Sequence, residues 1–209
     1  MIILLSPEQL VAHESVVVNG LFEKGLSLFH IRKLQFTDME MVAYVGSIDS
    51  GYRKQLVLHS HFHLANELGI ERLHVREEDR KQNRQHAFMD GFTLSTSVHT
   101  ITTFNNLDAV WKYAFLSPVF PSISKKGYGI ADTVLEDLRR RSNPHVRLVG
   151  LGGVNEQNCR QVFDAGADDI AVLGAVWNSP RPIQAFNSMN KTINGYAKRE
   201  THRIKYCRF

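Results

Sequence analysis

Short, largely apolar runs recur along the chain, and each is followed by a polar or amphipathic stretch. Ile2 to Leu5, Ser27 to Arg32, Gln55 to Leu58 and Leu73 to Val75 are the first four. Gly91 to Ser95, Tyr113 to Leu116, Leu148 to Leu151 and Ile170 to Leu173 complete the series. Such continuous runs suit parallel strands buried on both faces. The intervening stretches predict helices. Ser6-Pro7-Glu8 reads as an N-cap with Pro at the first helical position, opening a helix to about Lys24 that Gly25 closes. Leu10, Val17, Leu21 and Phe22 are its expected inner face. Thr37 caps a helix to about Asp49, and Phe62 to Leu68 forms a short one ended by Gly69. Further helices are expected from near Thr102 through Asn106 to Lys112, from about Ala131 to Arg141, and from Pro182 to Asn194. The polar stretch Arg76 to His86 reads as a solvated connection with at most one helical turn.

Eight strand–helix pairs in strict alternation predict an α/β fold, and their number predicts a closed (β/α)₈ TIM barrel. The expected single domain covers residues 1–195, with a basic tail at 196–209. The runner-up is an open doubly wound sheet. Its support is Gly150-Leu151-Gly152-Gly153-Val154-Asn155 with Asp169 downstream, a dinucleotide-like pattern that has Asn155 where a third glycine belongs.

Composition narrows the setting. A chain of 209 residues, 43% hydrophobic, can bury one sizeable core. No run of about 18 apolar residues exists to span a membrane, and the opening MIILL is too short for a signal segment. Cys159 and Cys207 have no metal-ligand spacing and predict no disulfide framework, which points to a reducing, cytoplasmic setting. The net charge of +4 is concentrated at one end: Lys191 to Phe209 carries six Lys and Arg against one Glu, so the rest is about −1. That pattern makes nucleic acid an unlikely partner for the barrel face. It leaves the tail as a solubilising extension or a docking segment, and it allows a homo-oligomer.

In a barrel, polar residues at the C-terminal strand ends face the active site. Strands seven and eight both end in glycine, at Gly152-Gly153 and at Gly174 beside Ala175. Their bare N–H groups suit a phosphate cradle. In the unit between them, Asn155 is the expected helix cap, and Cys159, Val162 and Phe163 have helical spacing. His30 and Arg32 share one face of strand two, while Lys33 points to the other. Strand three ends in His59-Ser60-His61, strand four supplies His74 and then Glu77, Glu78 and Asp79, and strand five leads to Ser97 and His99. His99 is the candidate for proton transfer, although a histidine there can equally serve local hydrogen bonds. Ser122, Ser124 and Lys125, on the loop after strand six, suit a second anion contact, and Lys125 reads equally as a solvated loop residue. The His59-x-His61 pair raises a metal reading. It sits on strand three rather than strand one, with Gly174 where such hydrolases place an aspartate, so no metal is expected there.

The order of motifs resembles the family that contains thiamine phosphate synthase and the thiazole tautomerase (TenI-like) barrels. The stretches that carry it are Ser97 to Thr100, Ser117 to Gly129, and Gly150 to Trp177. The resemblance implies a (β/α)₈ barrel that binds a small phosphorylated thiazole, with the phosphate on Gly152, Gly153, Gly174 and Ala175. It implies that Ser122, Ser124 and Lys125 match the loop that reaches the diphosphate in the synthases, and that His99 matches the proposed acid/base of the tautomerases. Two departures separate the branches. The synthase pattern Gln-x-Arg-x-Lys reads His30-Ile31-Arg32-Lys33-Leu34 here, and the Asn-Asp pair after strand three, whose aspartate helps bind magnesium, reads His59-Ser60. Asp79 matches the second magnesium aspartate. The preferred expectation is a thiazole tautomerase that needs no cofactor, with His99 catalytic and His30, Arg32, His59 and Ser97 around the substrate. The alternative is a thiamine phosphate synthase using Mg²⁺. A second alternative is a non-catalytic, phosphate-ligand-binding relative.

Overall fold

Eight parallel strands close on themselves in the computed structural model, which describes residues 1–88, 90–121 and 133–206. Side chains are described as far as residue 195, except those at 85 and 86. The strands are β1 (Ile2–Leu5), β2 (Leu28–Ile31), β3 (Leu56–Leu58), β4 (Arg72–Val75), β5 (Thr93–Val98), β6 (Trp111–Leu116), β7 (Arg147–Leu151) and β8 (Asp169–Val172). Each pairs with its neighbour in sequence, and β1 closes on β8 with Ile3 opposite Ala171. Closure excludes the open-sheet alternative. Asp169 lies at the N-terminal end of β8, where its carboxylate takes Arg147 Nε at 2.9 Å and Nη2 at 2.7 Å, far from any ligand-binding strand end.

The helices are α1 (Glu14–Glu23), α2 (Asp38–Gly46), α3 (Glu77–Lys81), α4 (Ile101–Asn105), α5 (Cys159–Asp164), α6 (Gly174–Trp177) and α7 (Pro182–Tyr206). Strand alternation divides the apolar residues in two. Leu4, Phe29, Ile31 and Leu58 join the large core beneath the helices, while Ile3, Leu28, Val57, Tyr113, Phe115, Val149 and Ala171 fill the barrel itself.

Several helix expectations are corrected. The first helix begins at Glu14, not at Pro7, because the carbonyls of Pro7 and Gln9 accept from Lys33 Nζ at 2.7 and 2.9 Å instead of from helical N–H groups. Leu10 consequently stands 63% exposed, whereas Leu21 and Phe22 are buried. The segment Asn106 to Lys112 is not helical: α4 stops at Asn105, and the fully buried Trp111 opens β6 opposite Leu94. Asn143 ends that helix by donating from Nδ2 to the carbonyls of Phe104 and Leu107 at 3.3 and 2.8 Å. The expected helix to Arg141 is a 3-10 segment, Glu136–Arg140, with residues 131 and 132 outside the described ones. Arg76 to His86 is more ordered than expected, with α3 and a 3-10 turn at Arg84–Phe88. Thr37 does cap α2, in a reciprocal box with Glu40. The last helix runs on to Tyr206, through the expected tail boundary at 196.

Lys33 is the unexpected anchor. Its side chain is wholly buried and its Nζ lies 2.8 Å from Glu14 Oε2; Tyr44 Oη donates to the other carboxylate oxygen. Burial pulls the ammonium pKa down, and the bonded Glu14 carboxylate opposes that shift. The pair ties the loop after β1 to β2 and α2. Lys33→Met is therefore expected to cost about 3–5 kcal/mol in denaturant unfolding by leaving Glu14 buried without its cation, and Lys33→Met with Glu14→Gln should recover part of the loss.

Candidate active site

The C-terminal strand ends frame a cavity of about 370 Å³ whose lining includes Arg32, His59, His74, Glu77, Ser97 and His99. The β5 end leads directly into Thr100, which caps α4, so His99 is held at the rim with a half-exposed ring. Its Nδ1 lies 3.0 Å from the Ser117 carbonyl, which can only accept. That bond makes Nδ1 the N–H and leaves Nε2 as the base. Glu77 Oε2 is 3.6 Å from Nε2, close enough to pair with that nitrogen once it has taken a proton. Glu77 also meets Arg80 and Lys81 at 3.4 and 3.2 Å.

Across the mouth, Val119 N–H donates to the Leu151 carbonyl at 2.9 Å and Phe120 N–H to that of Gly152 at 3.0 Å. The Gly152–Gly153 turn is thereby pressed against the loop after β6. Both glycines have positive φ, +102° and +65°, and a Cβ on Gly153 would stand 2.2 Å from the Pro121 carbonyl oxygen. Their missing side chains thus serve loop packing as well as any anion. Gly174 and Ala175 open α6, whose Trp177 donates from Nε1 to the Leu5 carbonyl at 2.8 Å. The N–H groups of Gly152, Gly153, Gly174 and Ala175 find no acceptor among the described residues. Asn155 stands one turn ahead of α5: its Oδ1 accepts from the Gln157 and Asn158 N–H groups, and the helix itself starts at Cys159.

Arg32 lies between the two halves, lining both the main cavity and a second one of about 340 Å³ that borders Gly174. Its guanidinium already meets Glu8 at 2.6 Å, a contact invisible in the local sequence pattern. Ser97 lies on the cavity wall with its Oγ 3.0 Å from His74 Nε2. His59 also lines the cavity, but His30 lies beneath the floor, fully buried, with His59 Nε2 at 2.9 Å and Tyr113 Oη at 2.7 Å on its two nitrogens. A direct contact of His30 with substrate would need that chain of bonds to open. His61 turns away, bonded to Ser60 Oγ and the Phe36 carbonyl, both at 2.8 Å. Ser122, Ser124 and Lys125 lie outside the described residues.

The floor is polar and neutral. Burial holds the His30 and His59 pKa values well below the ordinary imidazole range, with further lowering by neighbouring histidine and arginine charge. His74 is pushed down to about 3, by burial first and then by Arg32. The Tyr113 hydroxyl pKa is raised, mainly by burial. Tyr113 and Glu77 are the residues that strand-end reasoning did not assign. Tyr113 was visible only as a strand opener, and Glu77 only as one of three acids after β4.

Sequence comparison gives this geometry a context. The family model TMP-TENI, described as thiamine monophosphate synthase, matches residues 2–176. The chain belongs to that family. Among curated relatives, the thiamine-phosphate synthase of Streptococcus suis is 30% identical over 179 residues, covering 81% of this chain and 77% of that one. The enzyme of the same name from Listeria monocytogenes is 28% identical over 144 residues, 67% of each chain. A thiamine phosphate pyrophosphorylase structure from Bacteroides thetaiotaomicron superposes with a TM-score of 0.75 at 24% identity, covering 92% of this chain and 97% of the other, which supports the barrel fold. The resemblance to the synthases matches their two magnesium carboxylates to Ser60 and Asp79 of this chain. Ser60 bonds His61, and Asp79 is taken by Arg76 at 3.0 Å and Arg84 at 2.8 Å. One carboxylate flanked by two guanidiniums does not fit a magnesium ion.

Two outcomes follow for this TMP-TENI barrel. Unfolded histidine titrates near 6.5, so on acidification the unfolded chain binds protons that the buried trio refuses. Stability present above about pH 6.5 is lost as pH falls toward 3, at up to about 1.4 kcal/mol per pH unit for each histidine. Urea titrations of chelator-treated protein should give a lower midpoint at pH 5 than at pH 7.5, with a smaller difference in His59→Gln. At the glycine turn, Gly153→Ala should cost about 1–3 kcal/mol of backbone strain plus the clash. Gly69→Ala, at φ +66° with open space around it, should show the strain alone.

Proposed function

We propose that this thiamine-biosynthesis barrel isomerises a thiazole phosphate, moving a proton between two atoms of the substrate ring system. The observation that carries the proposal is His99. Its tautomer is set by the Ser117 carbonyl, the residue lines the cavity, and Glu77 stands beside its Nε2. Such a base takes a proton from one substrate atom and returns it to another, with the phosphate anchored on the N–H groups of Gly152, Gly153, Gly174 and Ala175, which have no acceptor among the described residues. Arg32 is suited to a substrate carboxylate, as a bidentate donor that would exchange its Glu8 partner. Ser97 and His59 line the same cavity as substrate contacts. Ser122, Ser124 and Lys125 are proposed for the loop side on the family resemblance alone.

Thiamine phosphate synthesis is the second reading, favoured by the names of the curated relatives. Against it stand His30 and Leu34 on the strand-two pattern, Ser60 for an aspartate, and an Asp79 already held by two arginines. The two readings separate in a pair of assays on purified protein. One supplies the unrearranged thiazole tautomer with chelator; the other supplies hydroxymethylpyrimidine diphosphate, thiazole phosphate and magnesium. Isomerised product in the first assay is expected, and thiamine phosphate in the second alone would establish the synthase. His99→Ala should lower isomerisation by about 10²-fold or more, with Glu77→Gln giving a smaller loss. An unchanged rate in His99→Ala would remove it from the mechanism.

A further inference from the structure

Three histidines that the proton-transfer proposal does not use as acid or base converge inside the barrel. His30 comes from β2, His59 from the end of β3 and His74 from β4, and one nitrogen of each lies within 4.8 Å of the others. We propose that this trio is a binding site for a zinc-type divalent transition metal ion, held by three imidazoles, with a fourth position opening into the cavity for an anionic oxygen.

Four features support the site. The spacing is close to what the ion needs: bonds of 2.0–2.1 Å at tetrahedral angles put ligand nitrogens roughly 3.4 Å apart. The facing nitrogens of His30 and His59 stand at 2.9 Å, so they open by about half an ångström while the widest pair closes by rather more. In the metal-free arrangement one N–H bridges those two nitrogens; on binding, that proton moves to the other nitrogen of its own ring, so that both facing nitrogens offer a lone pair. The three rings are also buried and held by packing, so the site is largely preformed.

Outer partners are in place as well. Tyr113 Oη holds His30 Nε2 at 2.7 Å, and the Oγ atoms of Ser95 and Ser97 stand 3.0 Å from the two nitrogens of His74, so one hydroxyl orients that ring while the other nitrogen binds. Finally, His59 and His74 line the cavity, which leaves one side of the ion open. Arg32, Arg72 and Arg76 bear on the cluster and would oppose a bare dication. Their charge is what selects an anion, such as hydroxide or a phosphate oxygen, as the fourth ligand. The sequence pattern raised only the His59-x-His61 pair, where no metal was expected, and His61 bonds the Phe36 carbonyl instead.

The test uses full-length protein without a histidine tag, stripped by chelator and titrated with Zn²⁺ by calorimetry and with Co²⁺ by visible absorption. One equivalent bound tighter than about 1 μM is expected, with the intense bands of four- or five-coordinate cobalt. His59→Gln and His74→Gln should each weaken binding by about 100-fold or more. His63→Ala, at the exposed His63–Asp38 pair, should leave it unchanged. Should His74→Gln fail to fold, His59→Gln at the cavity wall decides the matter. Binding weaker than about 100 μM, or binding that survives His59→Gln, overturns the proposal. Inorganic phosphate should shift the cobalt spectrum, and an unchanged spectrum would overturn the open fourth position. Binding is read without turnover, so the result is independent of which thiazole reaction the barrel performs.

Discussion

Closure of the eight-strand ladder is the constraint on which the rest of the molecule depends. With β1 hydrogen-bonded to both β2 and β8, no strand has a free edge and every strand has a side turned inward. The pleat then decides each residue's fate: Ile3 and Leu5 enter the barrel while Ile2 and Leu4 pack beneath the helices. The same rule sends His30 inward and Ile31 outward, and it brings the C-terminal strand ends together as one mouth. A register slip of one residue would exchange the two sets and expose the histidines to the apolar outer layer.

The barrel interior mixes apolar and polar side chains. Ile3, Val57, Phe115, Val149 and Ala171 share it with His30, His59, His74, Ser95 and Tyr113. Burying so many polar atoms is tolerable because they bond one another and because the imidazoles shed their charge. The interior is thereby committed to a pattern of hydrogen bonds that an apolar barrel would lack. The rim above it is arranged differently. Charges there are partly exposed and partnered, Arg32 with Glu8 and Asp79 with two arginines, so a ligand that engaged them would have to exchange existing contacts.

The glycine turn after β7 illustrates how one local feature meets two demands. Its positive φ angles and bare Cα atoms let the loop after β6 approach within van der Waals distance. The same turn leaves N–H groups without an acceptor among the described residues. Stability and the proposed anion recognition would therefore be coupled at Gly152 and Gly153. Lys33 shows the converse. Displaced by one position from the lysine of the synthase pattern that strand two resembles, it points out of the barrel and is consumed by Glu14 and two carbonyls.

Alternating apolar runs determined the strands, their number and the closed barrel, because burial on both faces leaves a strong, short-range signature. They also determined which strand ends carry His99, Arg32 and the glycines, since chain order equals spatial order in this fold. Helix starts were less legible. The segment from Ser6 to His13 has the caps of a helix, yet the Pro7 and Gln9 carbonyls go to Lys33, a partner 26 and 24 residues away that no local pattern reveals. Trp111 likewise left its expected helix for a strand because Asn143 and β5 claimed its surroundings. Only the tertiary structure decided that His30, His59 and His74 share one centre while His61 does not, that Glu77 accompanies His99, and that Arg32 already has a partner. Those facts depend on the radial position of side chains from different strands, and a linear pattern records spacing along the chain but not across the barrel.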